Sequence, residues 1–112
     1  GAFLNGEPIR ATKGVPLTSA MLVNNVGAGR EAPFVDVSME CARAAFMAKC
    51  HAVRMTGSAA VNMCHSACGR VDAYWELLVG GPWDLAAGAV IVTEAGGSVT
   101  NCDGSTFDIT KL

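Results

Sequence analysis

Charge is scarce in this sequence. Asp, Glu, Lys and Arg make up 16% of its 112 residues, where about 25% is usual for a globular domain. Eight Lys and Arg face ten Asp and Glu, a formal net charge of −2. That leaves no basic footprint for tracking a phosphate backbone, so nucleic acid is not an expected partner. Long apolar runs are lacking too. The longest near-continuous one, Leu85 to Val92, falls far short of the roughly 20 residues that cross a bilayer, so no membrane span is expected. No basic segment followed by an apolar core and a cleavage site opens the chain, so no signal peptide is expected in this stretch. A disulfide framework is also missing. The five cysteines, Cys41, Cys50, Cys64, Cys68 and Cys102, are odd in number and lack paired short spacings, which favours reduced thiols and a cytoplasmic setting. Cys64 and Cys68 could begin a zinc site on one helical face, but no second pair stands at ligand spacing. Buried core thiols are the expected reading.

Apolar residues are plentiful by contrast, at 51% with 13 glycines besides. A chain this short has a high surface-to-volume ratio and should need more polar surface, not less. The composition therefore predicts one domain over residues 1–112 that is a fragment, with apolar surface facing protein outside it. Ile109-Thr110-Lys111-Leu112 ends without a cap or polar tail, which adds the expectation that the fragment is truncated at both ends.

Along the chain, Asn5-Gly6 between Ala2-Phe3-Leu4 and Glu7-Pro8-Ile9 predicts a hairpin, because that pair tolerates the positive φ of a type I′ turn. Ala20-Met21-Leu22-Val23 reads as a short strand, followed by a loop at Gly27-Ala28-Gly29. Pro33 suits a helix's first turn. From there Val35, Met39, Ala42, Phe46 and Cys50 form one apolar stripe at helical spacing. Ala52-Val53-Arg54-Met55 is a predicted strand, and Ser58 can cap a helix that runs to Cys68 and stops at Gly69. A strand over Asp72–Leu78 and a buried helix over Leu85–Ala95, entered through an Asp at a capping position, come next. Ser98-Val99-Thr100 and Thr106-Phe107-Asp108 close the chain as a strand pair. Strands alternating with helices predict an α/β layer structure.

Two helix starts stand out, Gly57-Ser58-Ala59 and Trp83-Asp84. A helix N-terminus offers free N–H groups and a positive dipole end that can hold an anion such as phosphate. The plain alternatives are that Ser58 and Asp84 are ordinary N-caps and that Glu76, at a strand end, is a solvated side chain. Asp84 would also suit a metal-binding carboxylate.

The run Trp83-Asp84-Leu85-Ala86-Ala87-Gly88, followed by Val90-Ile91-Val92-Thr93-Glu94-Ala95-Gly96-Gly97, resembles the C-terminal signature of the inositol monophosphatase family. The likeness extends through Arg54 to Cys64, Gly69 to Glu76 and Gly1 to Gly6. It implies the C-terminal α/β half of the layered αβαβα sugar-phosphatase fold. It also implies a magnesium-dependent, lithium-sensitive phosphomonoesterase, usually a homodimer, acting on inositol phosphates of the phosphatidylinositol signalling route. Carried over by position, Asp84 matches a carboxylate that binds Mg2+ and approaches a substrate hydroxyl. Gly57, Ser58 and Ala59 match the turn lining the ring and phosphate, and Glu76 matches the acceptor of a ring hydroxyl.

Family members also carry an upstream glutamate and a D-P-x-D-G-T motif that supply most metal ligands, and neither stands in this chain; the missing N-terminal half is expected to provide them. A strand and helix usual after Leu112 are absent as well. One carboxylate does not satisfy a near-octahedral ion, so the isolated chain is expected to be inactive. Arg54 and Asp72 read as a supporting ion pair beside a strand, and His51 and His65 have no expected role. Relatives acting on L-galactose 1-phosphate, histidinol phosphate or a nucleotide 3′-phosphate share the Trp-Asp signature. A non-catalytic α/β assembly module is the alternative from another class.

Overall fold

The structure, a computed structural model, describes residues 1–112. A small antiparallel hairpin opens it, strands β1 (Phe3–Leu4) and β2 (Glu7–Pro8) paired Phe3 to Pro8 and Leu4 to Glu7. Asn5 and Gly6 both have positive φ, as the turn chemistry predicts. The main sheet is parallel and three-stranded, in the order β4 (Ala52–Arg54), β3 (Met21–Asn25), β5 (Ala73–Glu76). Leu22 of β3 pairs with Val53 on one side and Ala73 on the other. Being central, β3 buries Leu22, Val23, Asn24 and Asn25 in succession, the unbroken burial of a parallel strand covered on both faces.

Helix α1 (Ala32–Met47) joins β3 to β4, α2 (Ala59–Ala67) joins β4 to β5, and α3 (Pro82–Glu94) follows β5. Side chains alternate across a strand, and on β5 Tyr74 packs with the α2 and α3 cluster of Met63, Ala67, Val92 and Ala95. Trp75 packs instead with Ala20, Leu22, Ala45 and Cys50 beneath α1. The result is a three-layer arrangement, α1 on one face and α2 with α3 on the other. Contact between α2 and α3 is close at Gly88, where a Cβ would lie 2.5 Å from Met63 Sδ and 2.8 Å from Met63 Cβ.

Several expectations need correction. The buried face of α1 is Ser38, Ala42 and Ala45, while Met39 and Phe46 of the expected stripe are 40% and 57% exposed. Ser38 belongs inside because its hydroxyl donates to Asn24 Oδ1 (3.1 Å) and its carbonyl accepts from Asn24 Nδ2 (2.8 Å), so both polar side chains are paired on burial. The same pairing carries β3 two residues past Val23. β5 is shorter than expected, ending at Glu76.

α3 is a helix as expected but not a buried one: only Gly88 and Val92 are buried, and Val90 is 63% exposed. Its N-cap is Gly81 with Pro82 following, so Asp84 is third in the helix rather than the cap. The closing strand pair reduces to one bridge, Thr100 to Thr106. All five cysteines are unpaired, and Cys50 alone is buried, Cys64 and Cys102 being exposed. No helix is long and apolar enough to cross a membrane.

Candidate active site

Because the three strands are parallel, their C-terminal ends share one edge of the sheet, where open α/β sheets bind ligands. β3 ends there at Asn25, β4 runs into the turn Thr56–Ser58 that starts α2, and β5 ends at Glu76 before the loop into α3. Three of the expected site elements thus meet at one edge: the turn, Glu76 and the first turn of α3 with Asp84.

Ser58 is the N-cap of α2, its Oγ accepting from Val61 N at 3.3 Å. The capping expectation holds, and it leaves the hydroxyl proton available for donation. Gly57 takes positive φ, which turns the chain into the helix. Ala59 and its neighbour Ala60 open α2, and N–H groups in a first turn have no acceptor within their own helix.

Glu76 is not simply solvated. It is half-buried, and its Oε2 accepts from Asn25 Nδ2 (3.2 Å) and from the Tyr74 hydroxyl. Burial, then the hydrogen bond to Glu76 and the negative charges of Glu76 and Asp84, push the Tyr74 hydroxyl far above its ordinary value near 10.

An unfolded tyrosine releases its proton near pH 10 while folded Tyr74 keeps it, so the stability tied to this proton is complete below pH 10 and is lost as pH rises beyond it. Tyr74→Phe should flatten that alkaline decline, read as the melting temperature of both proteins across the alkaline range. Equal declines would contradict the burial of Tyr74.

Asp84 turns Oδ2 back onto Gly80 N at 2.8 Å, in the first turn of α3, where the helix dipole favours a carboxylate. Its Oδ1 accepts no hydrogen bond from the chain. That oxygen fits a hard divalent cation as a single ligand. No group of three or more His, Cys, Asp or Glu is placed to hold a metal, so these residues do not form a metal centre by themselves.

The expected ion pair of Arg54 and Asp72 does not form. Asp72 Oδ2 accepts from Met21 N at 2.8 Å, tying β5 to the start of β3, and Arg54 reaches only the Val53 carbonyl. His51 precedes β4 and His65 lies in the last turn of α2, both at the end of the layer remote from the strand C-termini. A cleft of about 820 Å3 opens beside β5. It touches the cluster at Tyr74 and Glu76, while Asp84 and the Thr56–Ser58 turn lie outside its lining.

Sequence reasoning missed Asn25. It is 5% exposed, and its Oδ1 accepts from Thr56 N (3.3 Å) and Gly57 N (3.2 Å). The only signal in the chain was a pair of asparagines directly after an apolar strand.

Known proteins resemble this chain in sequence and in fold. The model of the inositol monophosphatase family matches residues 1–112. Inositol monophosphatase 2 of Solanum lycopersicum is 47% identical over 111 residues, covering 98% of this chain and 41% of that protein. Inositol monophosphatase 1 of Homo sapiens is 37% identical over 109 residues, covering 97% and 39%. Among solved structures, inositol monophosphatase from Anabaena (Nostoc) sp. PCC 7120 superimposes with a TM-score of 0.81 at 36% identity, over 95% of this chain and 42% of that one. The extragenic suppressor protein suhB of Bartonella henselae gives 0.83 at 30%, over 97% and 40%. The chain thus spans about two fifths of the length of these relatives and has the architecture of part of the layered α/β sugar-phosphatase fold. Matched by the family model from its first residue to its last, it belongs to the inositol monophosphatase family.

Proposed function

We propose that residues 1–112 are the C-terminal part of a Mg2+-dependent phosphatase that hydrolyses myo-inositol monophosphate to inositol and phosphate. The observation that carries this reading is that Asn25 ties Glu76 to the Thr56–Gly57 turn at the edge of the sheet from which the chain enters α3, whose first turn carries Asp84. Glu76 offers its free Oε1 to a ring hydroxyl. Ser58 and the first-turn N–H groups of α2 draw the phosphate end of the same molecule, the helix dipole adding to the attraction. Asp84, through Oδ1, serves as one ligand to magnesium and as a neighbour of the substrate hydroxyl.

When bound, magnesium neutralises phosphate charge, lowers the pKa of a water and stabilises the leaving alkoxide. One carboxylate here is consistent with the other ligands lying in the part of the enzyme outside this chain. Exposed Phe46 and Met47 support apolar contact with that part and a homodimeric enzyme. Five unpaired cysteines support a cytoplasmic setting.

The test is phosphate release by the full-length enzyme with and without Mg2+, from inositol monophosphate, L-galactose 1-phosphate, histidinol phosphate and a nucleotide 3′-phosphate. Mg2+-dependent preference for inositol monophosphate is the expected result. Preference for another ester would reassign the substrate, and no turnover of any would favour a non-catalytic module.

A further inference from the structure

Asn25 joins the two halves of the candidate site and has no part in the chemistry proposed above. It ends the central strand, is almost wholly buried, and engages both ends of its carboxamide. Oδ1 takes the N–H groups of Thr56 and Gly57, while Nδ2 donates to Glu76 Oε2. The partners fix the orientation of the amide, since two N–H donors demand oxygen on one side and a carboxylate demands nitrogen on the other. Tyr74 donates to the same Glu76 oxygen, so Oε2 is occupied twice and Oε1 takes no donor from the chain.

We propose that Asn25 is a positioning residue that holds the Glu76 carboxylate and the Thr56–Gly57 turn in one fixed relation, so that both ends of a single polyol phosphate are gripped at once. The proposal rests on the reading of Glu76 as the acceptor of a ring hydroxyl. Only an amide satisfies this place. An aspartate would keep the two N–H contacts but set a second carboxylate against Glu76, and an apolar side chain would leave both N–H groups without the acceptor they have here.

The experiment compares inositol monophosphate with phenyl phosphate, an ester with no ring hydroxyls for Glu76 to receive, in the full-length enzyme. Asn25→Asp is expected to raise KM for inositol monophosphate about tenfold or more, the loss expected when one polar contact to substrate is misplaced. KM for phenyl phosphate should change less than about threefold, because phosphate capture by α2 does not use Glu76. In a Glu76→Gln background the Asn25 substitution should add little, since its effect runs through that carboxylate. Asn25→Ser removes both ends of the bridge without adding charge; inositol monophosphate, which uses both ends, should still lose more than phenyl phosphate, which keeps the test open if the aspartate variant does not fold.

Equal losses on both substrates, or an undiminished loss in the Glu76→Gln background, would make Asn25 merely structural and overturn the proposal while leaving the function intact. A wild-type enzyme that hydrolyses phenyl phosphate but not inositol monophosphate would overturn the functional reading itself, and with it any role of Asn25 toward a polyol.

Discussion

Asp84→Asn in the full-length enzyme should cut turnover of inositol monophosphate by about 100-fold or more, the scale on which metal sites respond to altered coordination, while leaving the fold nearly intact. On the proposed reading the two effects separate, because the chain engages only one of the two Asp84 oxygens. An asparagine oxygen can still accept the Gly80 N–H that Oδ2 now takes, so the entry to α3 survives. What the helix loses is a charge near its dipole, ~0.3–1 kcal/mol. The oxygen offered to a cation becomes a weaker, neutral ligand or is replaced by an NH2 group that cannot ligate at all. Steady-state kinetics paired with thermal melts decide the matter. Activity and stability falling together would return Asp84 to the role of a helix-end residue, and unchanged activity would remove it from the site.

Gly88→Ala is expected to have the largest effect on stability without touching the site. Alanine ordinarily favours a helix over glycine by roughly 1 kcal/mol, so a gain would be the naive expectation. Here the added methyl would lie 2.8 Å from Met63 Cβ, an atom fixed to the α2 backbone, and α2 and α3 must move apart to admit it. Overpacking a close contact costs ~1–3 kcal/mol, which exceeds the propensity gain over most of that range. Chemical denaturation of the two proteins should show a lower midpoint for the variant. A raised midpoint would mean that α2 and α3 are less closely apposed than the structure has them.

What was legible in the sequence was what local chemistry decides. Asn5-Gly6 specified its hairpin because the positive φ values lie within two residues of each other. Ser58 could be read as a cap because an N-cap answers to donors three residues on. The Trp83-Asp84 and Gly57-Ser58 segments carried the family resemblance because they are continuous in the chain.

The illegible features depend on partners far away. Nothing local marks Ser38 for burial until Asn24, 14 residues earlier, receives its hydroxyl, and that pairing rotates the buried face of α1 away from Met39 and Phe46. Asn25 looks like the end of a strand because the groups that make it worth burying lie 31 and 51 residues on. α3 gave the right element and the wrong burial, since a helix apolar on all sides announces no preferred face.

These long separations bear on how the protein reaches its working form. The hairpin and the helices close over short stretches of chain, but the parallel pairing of β3 with β5 joins segments about fifty residues apart, and such contacts carry the loop-closure cost that makes nonlocal sheets slow to form. Every side-chain hydrogen bond from Asn25 spans 31 residues or more. The Ser58 cap and the Asp84 contact close within a few residues, but the bridge that ties Glu76 to the Thr56–Gly57 turn exists only once β3 lies beside β5, so a ligand that needs both ends of that bridge reads out the pairing of the sheet.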